Sequence, residues 1–343
     1  MAERILRAGL IGCGFFAQNH LHAWRDIPEV ELVAVCDSDR AKADAARQRF
    51  GVPRAYQEAA AMLAAERLDF VDIVTTMPSH RALVELAAAH RVPAIVQKPF
   101  APRWEDCLAM VEACRRAGVP LMVHENFRFQ SPMMEARAVL ASGAIGEPYF
   151  GRVSFRTAYD VYANQPYLAE EERFILLDLG IHVLDVARVF LGEADRLYCQ
   201  AQSIRPGIRG EDMATMMLHH RSGATSVVDC SYASRLDPDP FPETLLHLEG
   251  TRGSLVLARG LDLTVVSDGR TTRRNLATPL LSWTSQPWHV AQESVLNTQR
   301  HWVERLKAGR EPETSGADNL RTYALVMAAY DSAASGAAVA PAA

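Results

Sequence analysis

No stretch of this 343-residue chain approaches the roughly 18 consecutive apolar residues that a membrane-crossing helix needs, so nothing in it is expected to span a bilayer. It also lacks a dense Lys/Arg run, an acidic tail and any internal repeat. With 36 Lys+Arg against 41 Asp+Glu and a formal net charge of −5, it has none of the basic excess of a nucleic-acid binder. The opening residues from Met1 run straight toward a strand, without a signal-type apolar segment. Cys13, Cys36, Cys107, Cys114, Cys199 and Cys230 form no C-x-x-C pair. Several sit in apolar runs, where Cys acts as a small buried hydrophobe. A disulfide framework is not expected in so long a chain without a secretory signal, and the cytoplasm is the expected compartment.

What remains is an ordinary globular composition, 49% hydrophobic and 22% charged. Its length exceeds that of most single cores and predicts two domains. Up to about residue 125, short apolar runs (Ile5–Ile11, Leu32–Cys36, Phe70–Thr75, Pro93–Val96, Leu121–Val123) alternate with Ala-rich helical stretches (Arg40–Phe50, Ser79–His90, Trp104–Ala117). That alternation predicts an α/β fold with a doubly wound parallel sheet. After Asn126 the rhythm changes. Helices are expected over Ser131–Ser142 and Asp178–Leu191. A strand is expected over Phe150–Thr157, and a succession of strands runs from Arg196 to Ser267 with hairpin-like breaks at Arg221-Ser222-Gly223 and Asp268-Gly269. This reads as a second α/β domain on an open-faced, largely antiparallel sheet. Helices near Val290–Ala308 and Asn319–Ser335 close it, and Gly336–Ala343 is expected to fray.

Gly12-Cys13-Gly14-Phe15-Phe16-Ala17 follows the first strand and opens a helix, which is G-x-G-x-x-A in the setting that gives the motif meaning. Gly12 permits the turn, Gly14 admits a pyrophosphate, Ala17 keeps the helix close to the sheet, and the helix start binds phosphate. A purely structural turn is the alternative. Asp37 ends the second strand where a carboxylate accepts from the adenosine ribose hydroxyls and repels a 2′-phosphate, which favours NAD over NADP. Arg40 nearby is the one residue against that preference. Thr75-Thr76-Met77-Pro78-Ser79-His80 follows another strand at the ligand edge, with Ser79 as a plain helix cap and His80 on the helix surface as the alternative. Gln97-Lys98-Pro99 ends the fourth apolar run. There Lys98 can hold a substrate oxygen, and a cis X-Pro bond would turn it sharply; a solvated turn lysine is the alternative.

Asp178-Leu179-Gly180-Ile181-His182 places a carboxylate and an imidazole four apart, hence on one face of a helix. His takes or returns a proton near neutral pH, and a carboxylate orients it. A surface pair and a metal site with Asp185 are the alternatives, and the apolar flanks argue against the first. Gly180 costs about 1 kcal/mol inside a helix, which suggests a close approach by cofactor or substrate. Tyr159, Tyr162, Asn164 and Gln165 can face a sugar or line a surface loop. Trp283, Trp288 and His289 read as core or oligomer contacts, with substrate stacking as the alternative, and no metal is expected.

The order of these motifs, together with Asn126-Phe127-Arg128-Phe129, resembles the glucose–fructose oxidoreductase/inositol dehydrogenase (Gfo/Idh/MocA) family over residues 5 to about 335. The resemblance implies a dinucleotide-binding Rossmann domain over residues 1–125 and a substrate-binding and oligomerisation domain over 126–335. It implies Lys98, Asp178 and His182 as catalytic residues in NAD-dependent oxidation of a neutral sugar. Gly12, Gly14, Phe15, Phe16, Asp37, Thr75, Thr76, Pro78, His80, Gln97 and Lys98 would face the cofactor. Asn126, Arg128, Tyr159, Asn164 and Gln165 would face the sugar, with a structural ion pair as the other reading of Arg128. A homodimer or homotetramer through the second-domain sheet is implied too. Gln97 stands where the family usually has Glu, which removes a negative neighbour of Lys98 and eases loss of its proton. Gln97 and the segment His124–Gln130 resemble a branch acting on aldopentoses such as the branched pentose apiose, oxidised at C1 to a lactone. Cyclitol oxidation, transient redox in a glycoside hydrolase or lyase, and a non-catalytic NAD-binding regulator remain the alternatives.

Overall fold

The computed structural model describes residues 4–342. The expectations for Met1–Glu3 and Ala343 lie outside them. The chain forms two compact units. One runs to Glu125 and takes in Val295–Leu320; the other comprises Asn126–Ser294 and the chain from Arg321 on.

The first unit is built on β1 (Leu6–Ile11), β2 (Val30–Cys36), β3 (Arg54–Tyr56), β4 (Phe70–Ile73), β5 (Ala94–Gln97) and β6 (Leu121–His124). They pair in the order β3-β2-β1-β4-β5-β6, all in parallel. The order reverses between β1 and β4, and in such sheets ligands bind at the carboxyl ends of the strands beside that reversal. The connecting helices are α1 (Ala17–Arg25), α2 (Arg40–Phe50), α3 (Ala59–Ala65), α4 (His80–Ala89) and α5 (Trp104–Ala117). β4, β5 and β6 are buried along their whole length, as strands covered on both faces must be. Asp39 caps α2 by accepting from the Ala41 N–H at 3.0 Å, and Gly51 ends it in the left-handed conformation at φ 67°.

The second unit opens with α6 (Ser131–Ala141) and β7 (Pro148–Arg156). After α7 (Ile181–Leu191) come β8 (Ala194–Gln202), β9 (Met213–His220), β10 (Thr225–Ser231), β11 (Leu245–Gly250), β12 (Gly253–Ala258), β13 (Asp262–Ser267) and β14 (Arg270–Asn275). The eight-stranded order is β14-β13-β12-β11-β7-β10-β9-β8, antiparallel throughout except for β7 with β10. Burial alternates along β9, with Ala214, Met216 and Leu218 inside and Met217 exposed, so one sheet face is covered and the other open. The last helices are α8 (His289–Lys307) and α9 (Gly316–Ser335).

The structure departs from the sequence reading in four places. β3, α3 and β14 were not anticipated: β3 is only three residues long, and β14 is polar and exposed throughout, so it lacks an apolar period. Asp178 does not lie on the α-helix. Leu176–Gly180 form a π-helical turn, and α7 begins at Ile181. The tail does not fray at Val339, whose N–H and carbonyl pair with those of Leu197 at 2.8 and 2.9 Å. Ser79 is not a side-chain cap for α4; its hydroxyl reaches back to Thr75 Oγ1 at 2.7 Å and the Thr76 carbonyl at 2.8 Å.

Candidate functional site

In the first unit the glycine loop leaves β1 and enters α1. Gly12 has φ 97°, and a Cβ there would lie 2.4 Å from the Val74 carbonyl oxygen, so no other residue fits between β1 and β4. Gly14 has open space where its Cβ would point, as an approaching pyrophosphate requires. Phe15 is exposed and Phe16 half-buried at the helix entrance. Asp37, at the end of β2, accepts from the Cys13 N–H at 2.7 Å with one carboxylate oxygen and from the Asp39 N–H at 2.9 Å with the other. A carboxylate offers about four acceptor sites, so capacity remains for ribose hydroxyls. Arg40, the residue that argued for NADP, turns to Asp44 instead, at 2.8 Å. Loop, helix start and carboxylate together fit a dinucleotide without a 2′-phosphate.

At the neighbouring strand ends, Thr76 and Pro78 are exposed and Thr75 half-buried. His80 is not on the surface. It is fully buried, its two ring nitrogens each 3.1 Å from a carbonyl oxygen, of Phe100 and Thr75. Burial pulls its pKa below the usual 6.5, against the opposing pull of those carbonyls. It therefore ties the loop after β4 to the turn after β5. In that turn Lys98 is half-buried and the Lys98–Pro99 bond is cis. Gln97 is buried: its Oε1 accepts from the Lys98 N–H at 2.7 Å, and its Nε2 lies 3.2 Å from His20 Nε2.

In the second unit Asp178 sits on the π-helical turn, a local widening that often marks functional positions. A Cβ on Gly180 would lie 3.3 Å from Leu176 Cδ2 and 3.4 Å from the Ile175 carbonyl oxygen. The preceding turn of the same segment is thus what crowds this glycine. Asp178 accepts from the Tyr232 hydroxyl at 3.0 Å. Burial and the Asp178 charge hold the Tyr232 phenol well above its usual pKa, so it stays a donor. His182 is buried, with its ring stacked on Phe127, centroids 3.9 Å apart and planes 3° apart. Neither Tyr232 nor the stacking role of Phe127 was anticipated. Tyr232 follows β10, far from Asp178 in sequence, and carries no signal of its own.

The residues expected to face a sugar are placed variously. Arg128 is buried and binds both oxygens of Asp185, through Nε at 2.7 Å and Nη2 at 2.5 Å, in the structural ion pair of the alternative reading. Asp185 also accepts from the Thr322 hydroxyl at 2.9 Å. Asn126 is buried and donates to Ser294 Oγ at 2.7 Å. Tyr159 stacks on Phe241 at 4.1 Å and accepts from the Trp288 indole N–H at 3.1 Å. Asn164 is exposed, and Gln165 accepts from the Tyr167 hydroxyl at 2.9 Å. Among the described residues, no three His, Cys, Asp or Glu groups are placed to hold a metal, and no helix is long and apolar enough to cross a membrane.

Comparison with known proteins bears on the whole of this architecture. Residues 6–125 match an oxidoreductase family with an NAD-binding Rossmann fold, and residues 133–256 match the GFO/IDH/MocA C-terminal domain. The chain is similar to D-apiose dehydrogenase of Rhizobium rhizogenes, 54% identical over 331 residues that cover 96% of each chain. It is similar also to D-apiose dehydrogenase of Paraburkholderia graminis, 56% identical over 330 residues, 96% of this chain and 88% of the relative. Among solved structures, an oxidoreductase from Agrobacterium radiobacter in complex with NAD+, L-tartaric acid and magnesium matches with a TM-score of 0.96 at 54% identity, covering 98% of each chain.

Proposed function

The chain belongs to the GFO/IDH/MocA oxidoreductase family, and on that premise we propose that it oxidises D-apiose at C1 of the ring form to the lactone. It is an NAD-dependent sugar oxidoreductase. The observation that carries the choice of sugar is the identity, above half and sustained over nearly the whole chain, to two D-apiose dehydrogenases. In the sequence no cluster of Arg and Lys flanks the motifs, which suits a neutral sugar rather than a phosphorylated one.

In this reading NAD, when bound, supplies the acceptor for the hydride that leaves C1. The residues of the chain manage the oxygen and its proton. His182 takes the hydroxyl proton as the C–O bond becomes a carbonyl. Lys98 donates a hydrogen bond to that oxygen, and Asp178, held by Tyr232, balances the charge that His182 gains. A positioned general base contributes about 10²–10⁴-fold. Gly12, Gly14, Phe15, Phe16 and Asp37 hold the cofactor, with Thr75, Thr76 and Pro78 along the strand ends. His80 and Arg128 we assign to positioning, because their polar atoms face protein partners. Asn126, Tyr159, Asn164 and Gln165 are the candidates for binding the sugar. The open sheet face of the second unit serves a homodimer or homotetramer, in the cytoplasm.

The test is His182→Ala, with NADH formation and NAD affinity measured separately. Turnover should fall about 10²–10⁴-fold while NAD binding stays intact; near wild-type turnover sinks the assignment. A panel of aldoses and cyclitols with NAD, read at the NADH absorbance, tests the sugar. Activity with inositols alone would overturn it.

A further inference from the structure

Gln97 lies in a buried polar chain that the reaction as described does not use. Gln97 is 7% exposed, while His20 and Asp72 are fully buried. The chain runs from the Lys98 N–H to Gln97 Oε1 (2.7 Å), from Gln97 Nε2 to His20 Nε2 (3.2 Å), and from His20 Nδ1 to Asp72 Oδ2 (2.8 Å). The Trp24 indole N–H donates to the same Asp72 oxygen at 2.7 Å.

The direction of every bond follows from one fixed point. A backbone N–H can only donate, so the atom of Gln97 that meets Lys98 N must be the oxygen. The atom facing His20 is then the NH₂ group, which also can only donate. His20 Nε2 must therefore accept, and a ring whose Nε2 accepts carries its one proton on Nδ1, pointed at Asp72. Protonating Nε2 as well would set two donors against each other, unless the amide turned over and set its NH₂ against the Lys98 N–H. Either way a buried donor loses its acceptor, at about 1–3 kcal/mol.

We infer that Gln97 is a positioning residue, which holds the Lys98 main chain and locks His20 as the neutral, Nδ1-protonated tautomer. The chain joins the Lys98 turn to β4 and to α1, the helix that follows the glycine loop. Its polarity gives each bond of the chain one donor and one acceptor, and that ordered set of bonds is what places the Lys98 main chain. The groups that face His20 are consistent with this. From β4 comes Asp72, which takes the Nδ1 proton; from β6 comes the His124 ring, its centroid 4.3 Å away. From α8 the neutral Gln299 amide donates to the His20 carbonyl at 3.4 Å, and from the glycine loop comes the Phe16 ring. A Glu at position 97 would reverse the logic. It would accept from Lys98 and demand a proton on His20 Nε2, making the turn depend on a charged imidazole.

The value of this chain to catalysis rests on the role proposed for Lys98; the tautomer does not. The first experiment is ¹⁵N NMR of the histidine-labelled full chain, with the His20 signals identified by their absence in His20→Asn. A neutral ring protonated at Nδ1 is expected at neutral pH. An Nε2–H tautomer, or an imidazolium, overturns the inference. The second is the pH profile of turnover in Gln97→Glu. Activity near wild type at low pH, falling about tenfold relative to wild type as His20 loses its proton, is expected. A profile parallel to wild type throughout overturns it. The NMR measurement involves no turnover, so failure of the Lys98 role shows separately, as retained activity in Lys98→Met with the His20 tautomer unchanged.

Discussion

The imidazole of His182 lies flat on the phenyl ring of Phe127, with ring centroids 3.9 Å apart and planes inclined by 3°. Phe127 stands in a 3₁₀ turn, Phe127–Phe129, and α7 begins only at Ile181, so the stack joins two rigid pieces of the second unit. An aromatic pair of this kind adds about 0.5–1.5 kcal/mol beyond simple burial. It fixes the plane of the His182 ring, and with it the direction of the proton transfer proposed above.

Phe127→Leu keeps the apolar contact and removes the stack. It should lower kcat about 3- to 10-fold, the rate equivalent of that energy. The KM for NAD should hardly move, because the nucleotide residues belong to the first unit. Steady-state kinetics with each substrate varied in turn will check this; a change confined to the KM for NAD would contradict it.

Tyr232→Phe removes only the hydroxyl that donates to Asp178 Oδ2. Hydrogen bonds to charged groups contribute about 1.5–3 kcal/mol, and the half-buried position of both residues calls for the lower end. A fall in kcat/KM of about tenfold is expected, with a melting temperature lower by about 2–4 °C. Equal activity of variant and wild type would show that Asp178 needs no such support.

The preference for NAD is built from two carboxylates. In the proposed nucleotide site Asp37 repels a 2′-phosphate, and Asp44 occupies Arg40, a cation that follows Asp37 closely in the chain. Asp37→Ser should therefore raise the NADP/NAD ratio of kcat/KM. Adding Asp44→Ala should raise it again by freeing Arg40. The single change also removes the acceptor for the Cys13 N–H, so NAD affinity should drop as well. A double variant no better with NADP than the single one would mean that Arg40 cannot reach the phosphate.

Much of this was open to a reader of the sequence, for identifiable reasons. β4, β5 and β6 are wholly buried strands and so read as apolar runs, and the glycine loop is local in the chain. Asp178 and His182 are likewise close enough in sequence to be seen as a pair, although the π-helical turn that carries Asp178 has no counterpart in simple helical spacing. What could not be read are the partners that tertiary folding supplies. Tyr232 reaches Asp178 from the end of β10, and His20 meets Gln97 from another element altogether. Arg128 likewise meets Asp185 from a separate element, so its partner carries no signal in the local sequence.

That ion pair makes its own prediction. Removing one partner of a buried pair leaves the other charge stranded, at about 3–5 kcal/mol, whereas replacing both with apolar groups is often nearly neutral. Arg128→Met should thus lower the free energy of unfolding by about that amount, and Asp185→Leu in the same chain should restore part of it. In the double variant Arg188 keeps Glu193 as a partner, at 2.7 Å, whereas the buried Thr322 hydroxyl loses Asp185 as its acceptor, at about 1–3 kcal/mol, which sets the limit of the rescue. Urea titrations of the three proteins decide it. A double variant weaker than Arg128→Met alone would refute the compensation.

Stability should also change with pH in a window set by buried histidines. Burial lowers the pKa of His80 and of His220 below 6.5, and that of the more open His22 shifts the same way. These rings are neutral in the fold, while the unfolded chain takes up protons below 6.5. Their contribution is therefore fully present above 6.5 and is lost as pH falls toward the lowered folded values. The slope is at most about 1.4 kcal/mol per pH unit for each group. Carboxylates with lowered pKa, such as Asp106 and Asp239, hold their contribution until pH falls below their unfolded value near 3.8, while Glu243, whose pKa burial raises above 4.5, opposes the histidines toward the lower end of the range. Urea midpoints measured between pH 8 and 5 should be level above 6.5 and decline below it. His80→Asn should flatten the decline, and a level curve down to pH 5 in the unsubstituted protein would show that these rings are protonated as readily in the fold as outside it.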